Sequence, residues 1–293
     1  MNRLLVLGAL HYDVVVDAPR LPGLDETLVG SAVDYRFGGK GGNQAVMAAQ
    51  FGARVSMAGR VGRDAPGAFI LDRLDRAGVQ RGGVLETDSP TGMSVAISDK
   101  NGDYGAVIVS GANLLNDGIC AGLETFSHVL LQNEIPESAN LALARSLPDD
   151  ATLILNGAPF RELPTDLLER VDLLILNRVE ACQMTGKEDV WDAVRALKTL
   201  RLRGFVVTLG DQGYTFAKNG ENDWMPAPAV QVVSTHGAGD AFVGALAAEL
   251  MTGAALKHAL SFAQTAASRF VATPIAERSD LTREDVKQAM PHS

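Results

Sequence analysis

Cysteine is scarce in this chain of 293 residues: Cys120 and Cys182 are its only two. That is too few for a disulfide framework or a four-ligand zinc site, and a reducing cytosol is the expected compartment. Aromatic residues make up 5%, so any wide, ring-lined pocket would have little to draw on. No apolar run approaches the roughly 18 residues of a membrane span. The apolar start ends quickly in His11 and Asp13 and reads as a buried first strand rather than a signal peptide. Positive charge is in deficit, with 26 Lys and Arg against 35 Asp and Glu, a net charge of −9. Broad electrostatic binding to nucleic acid or anionic membranes is thereby excluded. A phosphate-bearing ligand would have to be held locally. What the chain does have is 46% hydrophobic residues and 30 glycines, enough aliphatic material for an extended core and more glycine than the usual share of about 7%.

Short apolar runs recur at Leu4–Leu7, Val55–Ala58, Val129–Leu131, Leu153–Leu155, Leu173–Leu176 and Val206–Leu209. Runs of this kind belong to parallel strands covered on both faces. Helical patterns lie between them at Asn43–Phe51, Gly67–Ala77, Glu137–Ser146, Trp191–Leu200 and Ala238–Met251. The expected fold is therefore a doubly wound α/β domain spanning 1–293, with a mainly parallel sheet and helices on both faces. Glu26–Phe37 and Met93–Val109 look instead like exposed strands, the second folded at Asn101-Gly102. They predict a small β lid drawn from about 12–37 and 91–110.

Several chemistries fail on motif grounds. Neither Gly39-Lys40 nor Gly186-Lys187 has the upstream glycine of a P-loop, since Asp34 and Ala181 stand there. Gly237-Ala238-Gly239 opens like a dinucleotide fingerprint, but Phe242 replaces its third glycine. H-E-x-x-H is absent, and Gly92-Met93-Ser94-Val95-Ala96 lacks the final glycine of a nucleophile elbow.

One constellation survives. The run from Val232 to Phe242 passes from a strand end through small residues into a helix apolar on nearly every face. A helix start offers N–H groups without intrahelical partners, and its dipole favours an ionised Asp240. Donors for a phosphoryl group beside an acceptor for a hydroxyl proton are what phosphoryl transfer needs. The other reading is that Ser234 or Thr235 caps the helix and Asp240 merely complements its dipole. The glycine-rich stretch Phe37–Ala45, with Lys40 and Asn43, is either a loop whose donors converge on a small polar ligand or a flexible turn with a solvated lysine. Asp13 and Glu134 follow strands, where open α/β sheets bind ligands. Loop acids of that kind also serve as caps.

Together these pieces resemble the ribokinase branch of the PfkB carbohydrate kinase family. Gly38-Gly39-Lys40-Gly41-Gly42-Asn43-Gln44-Ala45 is similar to its N-terminal sugar-site signature, and Gly59–Asp64 with Gly67 to its next block. Gly237-Ala238-Gly239-Asp240 is similar to the C-terminal signature, Asn177-Arg178-Val179-Glu180 to an N-x-x-E element, and Thr208-Leu209-Gly210 with Gly213 to a nucleotide-binding strand and turn. The resemblance implies that Asp240 is the base toward a sugar hydroxyl and that the backbone of Gly237, Ala238, Gly239 and Asp240 forms the anion hole. It implies that Asp13, His11, Gly39, Lys40, Asn43 and Glu134 hold the sugar, that Asn177 and Glu180 organise Mg²⁺ and the phosphates of ATP, and that Thr208, Gly210, Gly213 and Gln264 line the nucleotide. A homodimer through the lid is implied as well.

Departures from the family pattern bear on detail. Ser234 stands where these chains usually carry an Asp that helps hold a monovalent cation. Ser268–Pro274, read as following the last long helix, lacks the glycine-bearing run that closes that site. Both argue against potassium activation. His11 replaces the usual Asn beside the substrate. The expected activity is ATP-dependent phosphorylation of a primary hydroxyl on a small sugar, most simply a pentose such as ribose. A nucleoside kinase on the same fold and a sugar-binding regulator without turnover are the competing readings.

Overall fold

The computed structural model describes residues 2–99 and 104–290. From the start run β1 (Leu4–Leu7), β2 (His11–Asp17), β3 (Ala32–Gly38), α1 (Lys40–Gln50), β4 (Val55–Gly62), α2 (Ala65–Arg76) and β5 (Gln80–Thr87). The middle of the chain supplies β6 (Gly92–Ser98), β7 (Tyr104–Val109), β8 (His128–Gln132), α3 (Glu137–Ser146), β9 (Thr152–Asn156), α4 (Thr165–Arg170), β10 (Leu173–Asn177), α5 (Arg178–Thr185) and α6 (Val190–Leu197). Then come β11 (Gly204–Thr208), the hairpin β12 (Tyr214–Lys218) and β13 (Glu221–Met225), and three helices, α7 (Ala238–Leu250), α8 (Leu256–Ala272) and α9 (Arg283–Ala289).

Nine strands form one sheet in the order β13-β12-β11-β10-β9-β8-β1-β4-β5. Every pair from β11 to β5 is parallel, and β12 and β13 add an antiparallel edge. Strand residues alternate between two buried layers. Leu4, Val6, Leu130 and Ile154 pack with α1, α7 and α8, whereas Leu5, Leu7, Val129, Leu131, Leu153 and Leu155 pack with α3 to α6. This two-sided burial is why the strands read as unbroken apolar runs.

The order of the sheet fixes the place of the site. From β1 the chain steps outward to β4 and β5, then returns to β8 on the opposite flank of β1. Connections diverge there, and a crevice opens at the carboxyl ends of β1 and β8. The start of α1 abuts that crevice. A Cβ on Gly41 would stand 2.7 Å from the Cα and carbonyl carbon of Gly8, so the helix reaches the end of β1 only because both residues lack side chains.

The lid is a second sheet, β3-β2-β6-β7, in which β2 pairs parallel with β6 and the other pairs are antiparallel. Tyr12 stacks on Tyr35 at 5.6 Å and meets Phe69 of α2 edge-on at 5.1 Å, which pins the lid to the large domain. The expected turn at Asn101-Gly102 lies outside the described residues.

Some boundaries differ from expectation. The first helix begins at Lys40, so part of the glycine-rich stretch is a helical turn rather than a loop. The strand expected over Glu26–Phe37 occupies only Ala32–Gly38. Ser268–Ala272 is the last turn of α8 and does not follow it. Strand β5 and the β12–β13 hairpin were not anticipated, because QRGGVLET, YTFAK and ENDWM offer neither an unbroken apolar run nor a clean alternation. Among the described residues no helix is long and apolar enough to cross a membrane. Gly41→Ala is expected to cost about 1–3 kcal/mol through overpacking of backbone on backbone. An unchanged denaturant midpoint would show that this contact can relax freely.

Candidate active site

Helix α7 begins at a left-handed glycine. Gly237 is its N-cap, with φ +81 and no side-chain cap. The alternative in which Ser234 or Thr235 caps this helix is therefore excluded. Ser234 Oγ instead accepts the N–H of His236 at 3.3 Å, and the Thr235 carbonyl accepts the N–H of Ala238 at 3.1 Å. That bond takes Ala238 out of the free donors of the inferred anion hole. Gly239 and Asp240 remain in the first turn, where N–H groups have no intrahelical acceptor. A Cβ on Gly239 would meet nothing within 4 Å, so open space faces these donors.

Two amides hold the Asp240 carboxylate. Asn43 Nδ2 donates to Oδ2 at 3.2 Å and Gln44 Nε2 to Oδ1 at 2.9 Å. Gln44 is fully buried, and its Oε1 accepts a bond from Gln132 Nε2 at 2.9 Å. Gln132 ends β8, and its carbonyl is bonded by Asn140 Nδ2 at 2.8 Å. The carboxylate at the start of α7 is thus aimed through α1 from the centre of the sheet.

The crevice beside it collects the inferred sugar residues. Glu134, just past β8, accepts the backbone N–H of Lys40 at 2.6 Å. Burial pushes the Glu134 carboxyl above its ordinary range, and the charges of Asp240 and Asp13 push the same way against the bond and charge of Lys40. Asp13 comes from the lid on β2, where Ser94 Oγ donates to it at 2.6 Å. Its carboxylate lies over Gly38, where a Cβ would come within 2.0 Å of Oδ2. His11 is 4% exposed, and its Nε2 has no bonding partner. Burial lowers its pKa, with Asp13 opposing. Gly39 is buried directly before Lys40.

The inferred nucleotide residues line the adjoining strand ends. Asn177 and Thr208 are register partners at the ends of β10 and β11. Asn177 and Glu180 form a reciprocal capping box on α5, with bonds of 2.8 and 2.9 Å. Glu180 is nevertheless buried rather than a surface acid, and desolvation raises its pKa while the charge of Lys40 opposes the rise. Lys40 therefore acts on Glu134 and Glu180 alike. Gly210 and Gly213 bracket the turn after β11. Gln264 lies apart on α8, and its Nε2 donates to Ser268 Oγ at 3.3 Å.

The sequence profile of pfkB family carbohydrate kinases matches residues 1–281. The chain belongs to that family. It is a ribokinase-like sugar kinase by its relatives, such as the ribokinase of Bacillus subtilis, 33% identical over 302 residues covering 99% of this chain and all of that one. The structure of Arabidopsis thaliana ribokinase complexed with ribose and ATP superposes with a TM-score of 0.91 at 32% identity, covering 100% of both chains. Ribokinase from Thermotoga maritima gives 0.90 at 27% identity, with 99% of each chain covered.

Within this carbohydrate kinase, sequence reasoning assigned no work to Gln44, Gln132 or Ser94. Gln132 carries a legible signal, as an amide closing a strand of buried apolar residues. The pairing of Gln44 with Asp240 spans 196 positions and has no local signature. Gln44→Leu strips a donor from Asp240 and an acceptor from Gln132, and is expected to cost about 1–3 kcal/mol of stability. A urea unfolding midpoint equal to that of the parent protein would remove the amide chain from the fold's support.

Proposed function

We propose that this kinase transfers the γ-phosphoryl group of ATP to a primary hydroxyl of a small sugar, most simply a pentose such as ribose. The observation that carries the reading is the Asp240 carboxylate, fixed on both oxygens beside the open first turn of α7. Asp240 takes the hydroxyl proton while the sugar oxygen bonds to the γ-phosphorus. The bond from phosphorus to the β–γ bridging oxygen breaks, and ADP carries away that electron pair. The N–H groups of Gly237, Gly239 and Asp240 receive the charge on the moving phosphoryl oxygens.

Asp13 and Glu134 accept bonds from sugar hydroxyls, Asn43 and the Lys40 ammonium donate to sugar oxygens, and Gly39, closed against the backbone of Ala9 and His11, turns the chain so that its own backbone reaches the sugar. His11 offers its unpartnered Nε2 to the same ligand. Asn177, Thr208, Gly210 and Gly213 take the nucleotide, with Gln264 toward the adenine. The structure of the Arabidopsis relative with ribose and ATP supports this pair of ligands. Among the described residues no three His, Cys, Asp or Glu side chains gather as a metal cluster. A magnesium ion would be carried on the phosphates, with the buried Glu180 next to it through water. When bound, it would neutralise phosphate charge.

Closure of the lid excludes water from the phosphoryl group. On the lid face opposite Asp13, Tyr35, Val95 and Val107 lie in one row through Val14 and are exposed. We place the homodimer contact there.

The test is sugar-dependent ADP release across pentoses, hexoses, sugar acids and nucleosides. One pentose or close relative is expected to stand out, and Asp240→Asn is expected to lower kcat about 10²–10⁴-fold while sugar binding by calorimetry persists. Equal turnover in the variant would remove Asp240 from the mechanism. A nucleoside as best acceptor would replace the sugar reading.

The raised Glu134 pKa adds a pH dependence. As pH falls through that value, which lies above the ordinary 4.5, the carboxylate gains a proton and loses an acceptor for sugar hydroxyls. KM for the sugar should rise on the acid side, and Glu134→Gln should abolish that limb. A limb surviving unchanged in Glu134→Gln would assign it to another group.

A further inference from the structure

Behind the start of α7 lies a buried cation with no carboxylate against it. Arg278 is 7% exposed and forms no ion pair among the described residues. Its side-chain bonds go to backbone carbonyls: Nη2 donates to Ser234 at 2.7 Å, Nη1 to His236 at 2.8 Å and Nε to Thr273 at 3.1 Å. The ring of Phe270 covers the guanidinium at 4.3 Å, and the same ring lies under Gly237, where a Cβ would come within 3.2 Å of it. The arginine's own backbone is fastened as well, since Gln50 Nε2 of α1 donates to its carbonyl at 2.7 Å.

Burying an unpaired charge is costly, and desolvation depresses this guanidinium's pKa accordingly. A merely structural role in a loop rarely needs a full charge. The two carbonyls bonded by Nη1 and Nη2 flank Thr235 and immediately precede Gly237, the residue that turns the chain into α7. Holding them from behind fixes the direction in which the Gly239 and Asp240 N–H groups point. It also sets a positive charge on the protein side of the phosphoryl site, where no lysine or arginine was inferred from sequence.

The monovalent cation that the family pattern implies does not fit here. Its missing acidic ligand, Ser234, instead offers a carbonyl, and that carbonyl and its neighbours are already taken by the guanidinium. We propose that Arg278 is the built-in cation of this active site, a positioning residue whose guanidinium holds the Ser234 and His236 carbonyls so that the start of α7 stays aimed at the transferring phosphoryl group without a bound alkali ion. The proposal rests on the kinase reading above.

The first measurement uses the unaltered protein with its best sugar. Replacing potassium by sodium or choline at constant ionic strength is expected to change kcat less than about twofold, since an orienting ligand set that is already filled has nothing to gain from the ion. Strong activation by potassium would overturn the proposal while leaving the kinase reading intact, whereas absence of turnover with every acceptor would defeat the kinase reading itself.

Arg278→Ala vacates three carbonyl oxygens, which are ligands suited to a hard monovalent ion. Its kcat is expected to fall about 10–100-fold with sugar KM little changed. Added guanidinium, at about 20 mM and far below denaturing levels, or potassium should restore part of that loss. A folded variant with parental kcat, or one whose loss neither ion repairs, would overturn the proposal. Should Arg278→Ala not fold, Arg278→Lys keeps the charge but loses the fork; kcat reduced in it and raised by added guanidinium supports the proposal, and parental kcat in it counts against the fork geometry.

Discussion

The site depends on a chain of buried amides that links the sheet to the helix bearing Asp240. Gln132 at the end of a central strand bonds Gln44 in α1, and Gln44 bonds Asp240 in α7. Gln44 and Gln132 are fully buried and cannot turn to water, so a shift in either element strands a polar atom in the other. The sheet, the first long helix and the catalytic helix are thereby registered to each other at the point where strand order reverses. A carboxylate fixed on both oxygens loses little freedom when a hydroxyl arrives, which is the condition for positioned proton acceptance.

An acidic protein that takes an anionic cosubstrate needs its positive potential concentrated rather than spread. Lys40 stands at the first position of α1, between Glu134 on the sugar side and Glu180 on the nucleotide side, and opposes the rise in both carboxyl pKa values. Backbone donors at α7 add partial positive charge to that of Lys40. The surface can therefore remain at −9 while the crevice receives phosphate. On the proposed reading the acidic residues at its rim face hydroxyls rather than phosphates, which separates the two substrates by charge.

Much of this arrangement was legible because it rests on local chemistry. Leu4–Leu7 and Leu153–Leu155 read as strands because burial on both faces demands apolar side chains at every position. Gly237–Asp240 and Gly38–Asn43 read as ligand sites because glycine clusters next to helix starts leave N–H groups approachable. Ser234 and Thr235 have strong intrinsic cap preference, which kept a capping role open beside the ligand-site reading, and a left-handed Gly237 at the N-cap removes it. The α1 boundary was set three residues late, since Gly41 and Gly42 disfavour helix locally while close approach to Gly8 requires the first and the Phe37 and Leu10 side chains crowd the second. Arg278 and Gln44 act across 42 or more positions of sequence, and nothing near them in the chain marks those partners.

The division of labour between the two sheets follows from the same geometry. Asp240, Glu134, Lys40 and Asn43 stand on the large domain, where buried helices and the amide chain leave little room for adjustment. His11 and Asp13 stand on β2, a lid strand anchored chiefly by the Tyr12 cluster and its neighbours in the small sheet. On the proposed reading, phosphoryl transfer needs Asp240 unchanged whatever the acceptor, whereas Glu134, Lys40 and Asn43 share the reading of the acceptor with His11 and Asp13. A buried His11 with an unpartnered nitrogen alters that reading surface without touching the chemistry. On that reading a change of acceptor can be met in part on the lid strand, while Asp240 keeps the amide supports from Asn43 and Gln44 that fix it on the large domain.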